Sequence, residues 1–156
     1  MSHILQNLFL PAGETMMRPF QLMLIVLVTA CNTNGRTADV QEIANTILGE
    51  ARGEGEHGMK LVADVIHSRV KSPSYPDSPT KVVRQPKQFI GRSYRCANWE
   101  SKEAIYAMEL AKQLVEGKDP LPDKEYTHFW SGSKLPNWAK GRIPFQFRNH
   151  KFIQMK

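Results

Sequence analysis

The sequence lacks the patterns that mark metal-binding and disulfide-rich proteins. Only two of its 156 residues are cysteines, and no Cys-x-x-Cys or His-Glu-x-x-His spacing occurs. Because zinc sites usually draw on such spacings, the sequence predicts neither a metal site nor a cofactor. Internal repeats and low-complexity tracts are also missing, so nothing in the chain suggests a repeat architecture.

A long apolar run is missing too, but a short one lies near the N-terminus. Arg18 precedes an apolar stretch over residues 22–28, and a Val-Thr-Ala-Cys sequence ends at Cys31. The stretch is too short to span a bilayer comfortably and is typical of a signal peptide. Its ending resembles a bacterial lipobox, which predicts a lipid on Cys31. A plain secretory peptide and an uncleaved N-terminal anchor are the alternatives, and all three predict export to the periplasm or cell envelope.

The N-terminal residues do not resemble the start of a signal peptide. Residues 1–15 contain no lysine or arginine, whereas Met16 and Met17 stand directly before Arg18. Either methionine is therefore a candidate for the true start. The predicted organisation is a leader and signal peptide over residues 1–30, a linker over 31–36 and one domain over 37–156, which is enough chain to bury a core.

The chain is basic, with a formal net charge of +6 at pH 7. Such a charge suits anionic envelope polymers and phospholipid headgroups. Nucleic acid is the usual rival, but the export signal argues against it. With Cys31 assigned to lipid, Cys96 has no partner for an intramolecular disulfide. The sequence therefore predicts a monomer that is stabilised by its core.

The stretch with most chemical content is the glycine-rich turn that follows Glu50. An apolar stripe at helical spacing precedes it, consisting of Val40, Ile43, Ala44, Ile47 and Leu48. This stripe predicts an amphipathic helix. Asp39 and Glu42 resemble a capping box at its start, and Gly49 is a typical helix stop. Glu50 is therefore expected at the helix exit.

A second apolar stripe predicts another helix directly after the turn. Its members are Met59, Val62, Ala63, Ile66 and Val70. Two helices joined this way are expected to pack as a corner with Glu50 inside it. Burial disfavours the charged carboxylate and raises its pKa, which would make Glu50 a candidate general acid. The alternatives are a solvated acidic turn of Glu50, Glu54 and Glu56 with Arg52 as ion partner, or a carboxylate pair of Glu50 with Glu54.

Four ordered blocks resemble a family of cell-wall hydrolases that includes the spore cortex-lytic enzymes of sporulating bacteria. The resemblance covers roughly residues 40 to 153, and the ordered set is far more specific than any single block. Two positions depart from the family pattern, Ser68 and Ile90. The blocks are Ile47 to Glu54 with Gly58-Met59 and Val62 to Val70, then Val82-Val83-x-x-Pro86-x-Gln88-Phe89, then Thr127 to Trp130, and Asn149 to Phe152.

The resemblance implies a mainly α (α+β), compact fold like that of lysozyme and lytic transglycosylases, and a peptidoglycan substrate. It also implies one essential glutamate, carried over here to Glu50. As a lytic transglycosylase, this residue would cleave between N-acetylmuramic acid and N-acetylglucosamine, first as acid and then as base. A water-using muramidase with Glu54 or Asp64 as second carboxylate is the alternative. A non-catalytic envelope lipoprotein that binds peptidoglycan is the rival of another class.

The same resemblance assigns residues to a sugar-binding groove. Amide and imidazole groups would bind acetamido groups, and aromatic faces would stack on the rings. For the aromatic residues core packing is the alternative interpretation, and for the histidines a structural role is. The expected substrate contacts are Gln88, Phe89, Thr127, His128, Trp130 and His150.

The rest of the chain predicts scaffold. Residues 71–98 are rich in proline and read as an ordered loop region. A helical stripe runs from Ala104 to Val115, with Ser101 as its cap and Gly117 as its stop. Residues 126–130 favour a short extended segment.

Overall fold

The computed structural model describes the backbone of residues 19–155 and the side chains of residues 35–155. The contacts divide the chain between Asn34 and Gly35 into two units, of which residues 35–156 form the larger. The side chain of Cys31 and both candidate start residues, Met16 and Met17, lie outside the described residues. Among the helices of the described part, none is long and apolar enough to cross a membrane.

Among the residues that the structure describes, four α-helices form the main part of the fold. Three short 3-10 turns lie between the helices and strands of this part, at Arg52–Glu54, Ile90–Ser93 and Asn137–Ala139. The helices are α1 (Pro19–Ala51), α2 (Gly55–Lys71), α3 (Pro79–Val83) and α4 (Lys102–Val115).

The predicted ends of α1 were wrong at both sides. Asp39 lies inside the helix and is no cap; its carboxylate stands 3.7 Å from the guanidinium of Arg84. Glu42, the other half of the supposed capping box, also binds Arg84, at 2.6 Å. Gly49 does not stop the helix, which continues to Ala51. The capping pattern failed because the residues directly before Asp39 are also helical, so Asp39 does not stand at a helix start.

The apolar stripes, in contrast, were predicted correctly. All five members of the α1 stripe are buried, as are four of the five in α2. On α4 the alanines and Leu114 are buried against α2, and the Ser101 hydroxyl caps the helix by accepting a hydrogen bond from the amide of Ala104. These three helices form the main core, because each presents one apolar face to the others.

A three-stranded antiparallel sheet completes the fold. Its strands are β1 (His128–Ser131), β2 (Phe145–Phe147) and β3 (His150–Ile153), in the order β1-β3-β2. Since side chains alternate along a strand, the register fixes two faces. The inner face carries Phe129, Phe145, Phe147, His150 and Phe152, of which Phe129, Phe147 and Phe152 pack on the helical core. The outer face carries His128, Trp130, Gln146, Lys151 and Ile153.

Two buried polar residues of α2 connect the helices to the beginning of β1. Asp64 accepts a hydrogen bond from the amide of Tyr126 at 3.0 Å. Arg69 donates from Nε to the carbonyl oxygen of Thr127 at 2.8 Å. The segment before β1 is therefore fixed to α2 by its main chain, which sets where the sheet begins.

Candidate active site

Glu50 lies in the last turn of α1, where the helix meets the turn that contains Gly91. The backbones approach so closely that a Cβ atom on Gly49 would overlap the carbonyl oxygen of Gly91. A Cβ atom on Gly91 would in turn lie 2.5 Å from the amide nitrogen of Glu50. Glycine is needed at both positions for steric reasons. Gly49 was predicted as a helix stop, and its real role is this contact.

The approach gives the Glu50 carboxylate a main-chain donor. The amide of Gly91 donates to Oε1 of Glu50 at 2.6 Å. The carboxylate is half-buried, and this burial raises its pKa above the ordinary value of 4.5. The amides of Gly91 and Ile90 and the nearby His150 oppose that rise. Glu50 therefore combines partial burial with donors that stabilise its charged form, which suits a group that gives up a proton and takes one back.

Glu54 is not in a solvated turn, because only 7% of its surface is exposed. Its Oε1 stands 3.5 Å from Nδ1 of His150, and its Oε2 has no hydrogen-bond partner within the described structure. Gly58 makes room for this arrangement, since a Cβ atom there would overlap that of Glu54. Glu54 is thus directed to His150, on the inner face of the sheet.

Of the other residues in the acidic-turn interpretation, Glu56 agrees with it and Arg52 does not. Glu56 is exposed and pairs with Lys102 at 3.0 Å, as expected of a surface residue. Arg52, the supposed ion partner of the turn, lies instead with its guanidinium 4.6 Å from the centre of the Tyr94 ring. Of the three glutamates, only Glu56 behaves as that interpretation requires.

The structure separates the two histidines that were predicted together. His150 is buried on the inner face beside Glu54 and close enough to influence Glu50. His128 lies on the outer face, where its Nε2 is 3.3 Å from the Tyr75 hydroxyl and its Nδ1 is 3.1 Å from Oγ1 of Thr127. Burial, helped by Arg69 and Arg142, lowers the pKa of His128. His128 is therefore a neutral hydrogen-bonding residue near neutral pH.

The remaining predicted contacts are scattered. Gln88 is exposed in the loop that leads to Gly91. Phe89 is 6% exposed and packs in the core under the guanidinium of Arg69, at 5.2 Å. Thr127 is buried, and its hydroxyl accepts a hydrogen bond from the amide of Met155. Trp130 belongs to a small outer-face cluster. The core alternative describes Phe89 and Trp130, while their contact with substrate stays a prediction.

Sequence reasoning missed several residues near these groups. Gly91 carried no signal, because its importance depends on a close approach to a distant helix. Tyr75 lies in a proline-rich loop, where no pattern marked it. The centre of its ring is 5.1 Å from the guanidinium carbon of Arg69. Arg69 belongs to the first resemblance block, which was its only signal. It is 3% exposed, and its Nη1 has no hydrogen-bond partner within the described structure.

Asp64, one of the two candidates for a second carboxylate, is completely buried. Burial raises its pKa from 3.8 to about 7, and the neighbouring acids Asp119 and Glu125 add to the rise. Its hydrogen bond with Tyr126 shows a structural role, and substrate cannot reach it without opening the core. Among the described residues, no cluster of three or more His, Cys, Asp or Glu side chains could hold a metal ion.

The helical core, the small antiparallel sheet and the half-buried glutamate at a helix exit define a domain of lysozyme-like class. A family model described as Cell Wall Hydrolase matches residues 53–153. Because this match spans more than half of the chain, the protein belongs to the cell wall hydrolase family. The match begins after Glu50, so it does not by itself assign that residue a role.

Spore cortex-lytic enzymes are among the similar proteins. The one from Bacillus subtilis (strain 168) is 31% identical over 108 residues, which are 67% of this chain and 33% of that protein. The one from Oceanobacillus iheyensis is 37% identical over 92 residues, 56% of this chain and 31% of that protein. The chain thus spans about a third of the length of these curated relatives.

Two solved structures share the fold. The catalytic domain of Bacillus cereus SleB superposes with a TM-score of 0.58 at 27% identity, over 74% of this chain and 89% of that one. The catalytic domain of the germination-specific lytic transglycosylase SleB from Bacillus anthracis gives 0.57 at 27% identity, over 74% and 93%. The expectation of a mainly helical, lysozyme-like fold is therefore confirmed.

Proposed function

We propose that this protein cleaves the glycan strands of peptidoglycan between N-acetylmuramic acid and N-acetylglucosamine, as a lytic transglycosylase with Glu50 as its single catalytic carboxyl group. The observation that carries the proposal is the Glu50 carboxylate, half-buried with a raised pKa and fixed by the Gly91 amide. Family membership and the name of the Bacillus anthracis relative support the substrate and the reaction class.

In the first step the protonated Glu50 donates its proton to the glycosidic oxygen, and the bond from that oxygen to muramic acid C1 breaks. Burial favours the protonated carboxyl group that this step needs. In the second step the Glu50 carboxylate accepts the proton of the muramyl 6-hydroxyl, whose oxygen bonds to C1. The products are a free N-acetylglucosamine end and a 1,6-anhydromuramic end, and Glu50 has recovered its proton.

A transglycosylase needs no second carboxylate, and the acidic side chains near Glu50 agree with this requirement. Glu54 is buried and directed to His150, while Asp64 is enclosed in the core. A hydrolytic reaction would need a carboxylate free to activate water or to attack the sugar. We infer that Glu54 serves as the partner of His150, which in turn stabilises the charged form of Glu50.

For substrate binding, we propose that Gln88 and His150 contact the sugars next to the scissile bond. Gln88 is exposed in the loop that supplies the Gly91 amide, and His150 lies on the Glu50 side of the sheet. Phe89 and Thr127 are buried, so only the edges of their side chains would contact a sugar. His128 and Trp130 lie on the outer face and pack against Trp138, so we propose no contact of these two residues with the sugars next to the scissile bond.

We also propose that the chain is exported and anchored in a membrane by lipid on Cys31, so that the domain faces the periplasm or cell envelope. The support is the signal-peptide pattern of the sequence and the envelope substrate of its family. Mass spectrometry of the protein from the membrane fraction would show an acylated N-terminal cysteine. A Cys31→Ser variant that stays equally membrane-bound would favour the uncleaved anchor instead.

The test of the reaction is mass analysis of fragments released from purified peptidoglycan by the full chain. We expect 1,6-anhydromuramic ends from the wild type and a loss of about 100-fold to 10,000-fold in rate with Glu50→Gln. The matched control is Glu56→Gln, an exposed glutamate of the same region, which should retain the parental rate.

Other outcomes point to other mechanisms. Reducing muramic ends would indicate a hydrolase and return Glu54 to the role of second carboxylate. Cleavage by Glu50→Gln at the parental rate would refute the assignment of the acid. A wild type that binds peptidoglycan but releases no fragments would support the non-catalytic lipoprotein.

A further inference from the structure

The positive charge of the chain is concentrated in its C-terminal segment. Residues 126–156 contain no aspartate or glutamate. Their cations are Lys134, Lys140, Arg142, Arg148, Lys151 and Lys156. This sum of six equals the net charge of +6 of the whole chain, so residues 1–125 are neutral overall. A segregated charge of this kind creates a positive surface, which attracts an anionic partner.

The same segment exposes large apolar side chains. Ile143 is 98% exposed and Leu135 48%, while Phe145 and Trp138 are 42% and 39% exposed. Only two other large hydrophobic residues among the described side chains are similarly exposed, Ile90 and Ile105. Four of the six exposed large hydrophobic side chains among the described residues therefore lie in the basic segment.

The loop between β1 and β2, residues 132–144, carries Leu135, Trp138 and Ile143, and it packs on the outer face of the sheet through Trp138 and Ala139. Ala139 is buried and packs with Trp130 and Ile153. The Trp138 ring contacts that of Trp130 edge-on, with ring centres 5.4 Å apart. Lys151 donates to the carbonyl oxygen of Gly132 at 2.9 Å. The loop is thus pinned at several points, while Leu135 and Ile143 remain exposed to solvent.

We propose that this loop, which we call the basic loop, docks the domain on an anionic phospholipid surface. Leu135, Ile143 and Trp138 would insert at the level of the headgroups, and Lys134, Lys140 and Arg142 would contact lipid phosphates. Exposed aliphatic and tryptophan side chains next to Lys and Arg are the combination that binds membrane interfaces.

The exposed aliphatic side chains of the basic loop suit a lipid surface better than a glycan strand. Sugar rings stack on flat aromatic faces, whereas the two aliphatic side chains, Ile143 and Leu135, offer none. The basic loop covers the outer face, and His150 and Glu54 lie on the inner face near Glu50. A membrane on the outer face would therefore leave the proposed active site uncovered. The proposal does not depend on the reaction that Glu50 carries out.

The test is co-sedimentation of the full chain with lipid vesicles, using a Cys31→Ser background so that no lipid is attached. One set of vesicles contains phosphatidylcholine alone and the other also contains phosphatidylglycerol. The double variant Lys140→Glu/Ile143→Ser removes one cation and one apolar side chain of the basic loop. Its matched control is Lys112→Glu/Ile105→Ser, which makes the same changes on the exposed side of α4, where Ile105 is 57% exposed.

We expect the parent to bind the anionic vesicles at least about tenfold more tightly than the neutral ones, and the basic-loop variant to lose most of that difference. The control should keep it. Equal binding by both double variants would overturn the proposal and assign the affinity to the N-terminal segment. Retained vesicle binding with lost binding to purified peptidoglycan would show that the basic loop contacts glycan. Peptidoglycan cleavage, measured in parallel, reports separately on the function of Glu50.

Discussion

The two faces of the small sheet place two histidines in different surroundings, although the sequence predicted both as substrate contacts. On the inner face, His150 is buried, stands 3.5 Å from the Glu54 carboxylate and influences the pKa of Glu50. On the outer face, His128 has a hydroxyl partner on each ring nitrogen and a lowered pKa. His150 therefore interacts with the carboxyl groups of Glu54 and Glu50, whereas His128 interacts with the neutral hydroxyl groups of Tyr75 and Thr127. Strand parity, set by the pairing with β3, decides which environment a histidine enters.

The largest expected difference between the faces is in stability. His150→Ala leaves the buried Glu54 carboxylate without its partner, which should lower the free energy of unfolding by about 3 kcal/mol. His128→Ala removes hydrogen bonds to Tyr75, which is only partly buried, and to the Thr127 hydroxyl, which keeps the Met155 amide as a partner, so it should cost about 1 kcal/mol. Urea unfolding of the two variants beside the wild type measures both losses. Equal losses would mean that the two faces do not differ in this way.

A second prediction tests the backbone contact between Gly49 and Gly91, which brings the Gly91 amide to the Glu50 carboxylate. Gly49→Ala forces a Cβ atom against the Gly91 carbonyl and should destabilise the protein by up to about 3 kcal/mol. It should also weaken the bond from the Gly91 amide to Glu50, so cleavage should fall more than stability alone explains. The matched control is Gly53→Ala, because a Cβ atom there has nothing within 4 Å. Similar behaviour of both variants in urea unfolding and in the peptidoglycan assay would refute the steric argument.

A third and smaller effect concerns the attachment of β1 to α2. The pKa of Asp64 is about 7 in the folded state, against an ordinary value of 3.8. The protonated carboxyl group therefore favours folding at low pH, and this stabilisation is lost as the pH rises through 7. Between pH 5 and 7 the wild type should lose about 2 kcal/mol that Asp64→Asn does not lose.

Unfolding free energies at several pH values measure this effect. Asp77→Asn is the control, because Asp77 is exposed and its lowered pKa lies outside this pH range. Parallel curves for the wild type and Asp64→Asn would show that Asp64 does not titrate there.

Local sequence patterns were sufficient for the helices. The stripes of α1, α2 and α4 were predicted because periodicity alone determines which face is buried. The start of α1 was missed because the residues before Asp39 are helical although the apolar stripe does not extend to them; Asp39 and Glu42 instead pair with Arg84, a contact that no local pattern encodes. Only one of the three strands was predicted. The strands are three or four residues long, and their pairing depends on residues far apart in the chain.

The site was predictable only in part for the same reason. Glu50 was nominated as the acid from the end of an apolar stripe and from a family resemblance, and that role stays a prediction. The position of Glu54 beside His150 required the register of β3, and the donor at Gly91 required the approach of two backbones. A sequence pattern can therefore nominate an acid, while the groups that tune it come from other parts of the chain.

The main-chain origin of the Glu50 hydrogen bond has a consequence for how such enzymes can diverge. An amide donates regardless of the side chain attached to its neighbours, so the loop that supplies Gly91 can exchange exposed residues such as Gln88, Ile90 and Arg92 without removing the donor. Two glycines keep the amide donor beside the Glu50 carboxylate, and the exposed side chains of the loop can change without moving that donor. Under the proposed function, the contact with glycan and the hydrogen bond to the acid would come from separate atoms of one short segment.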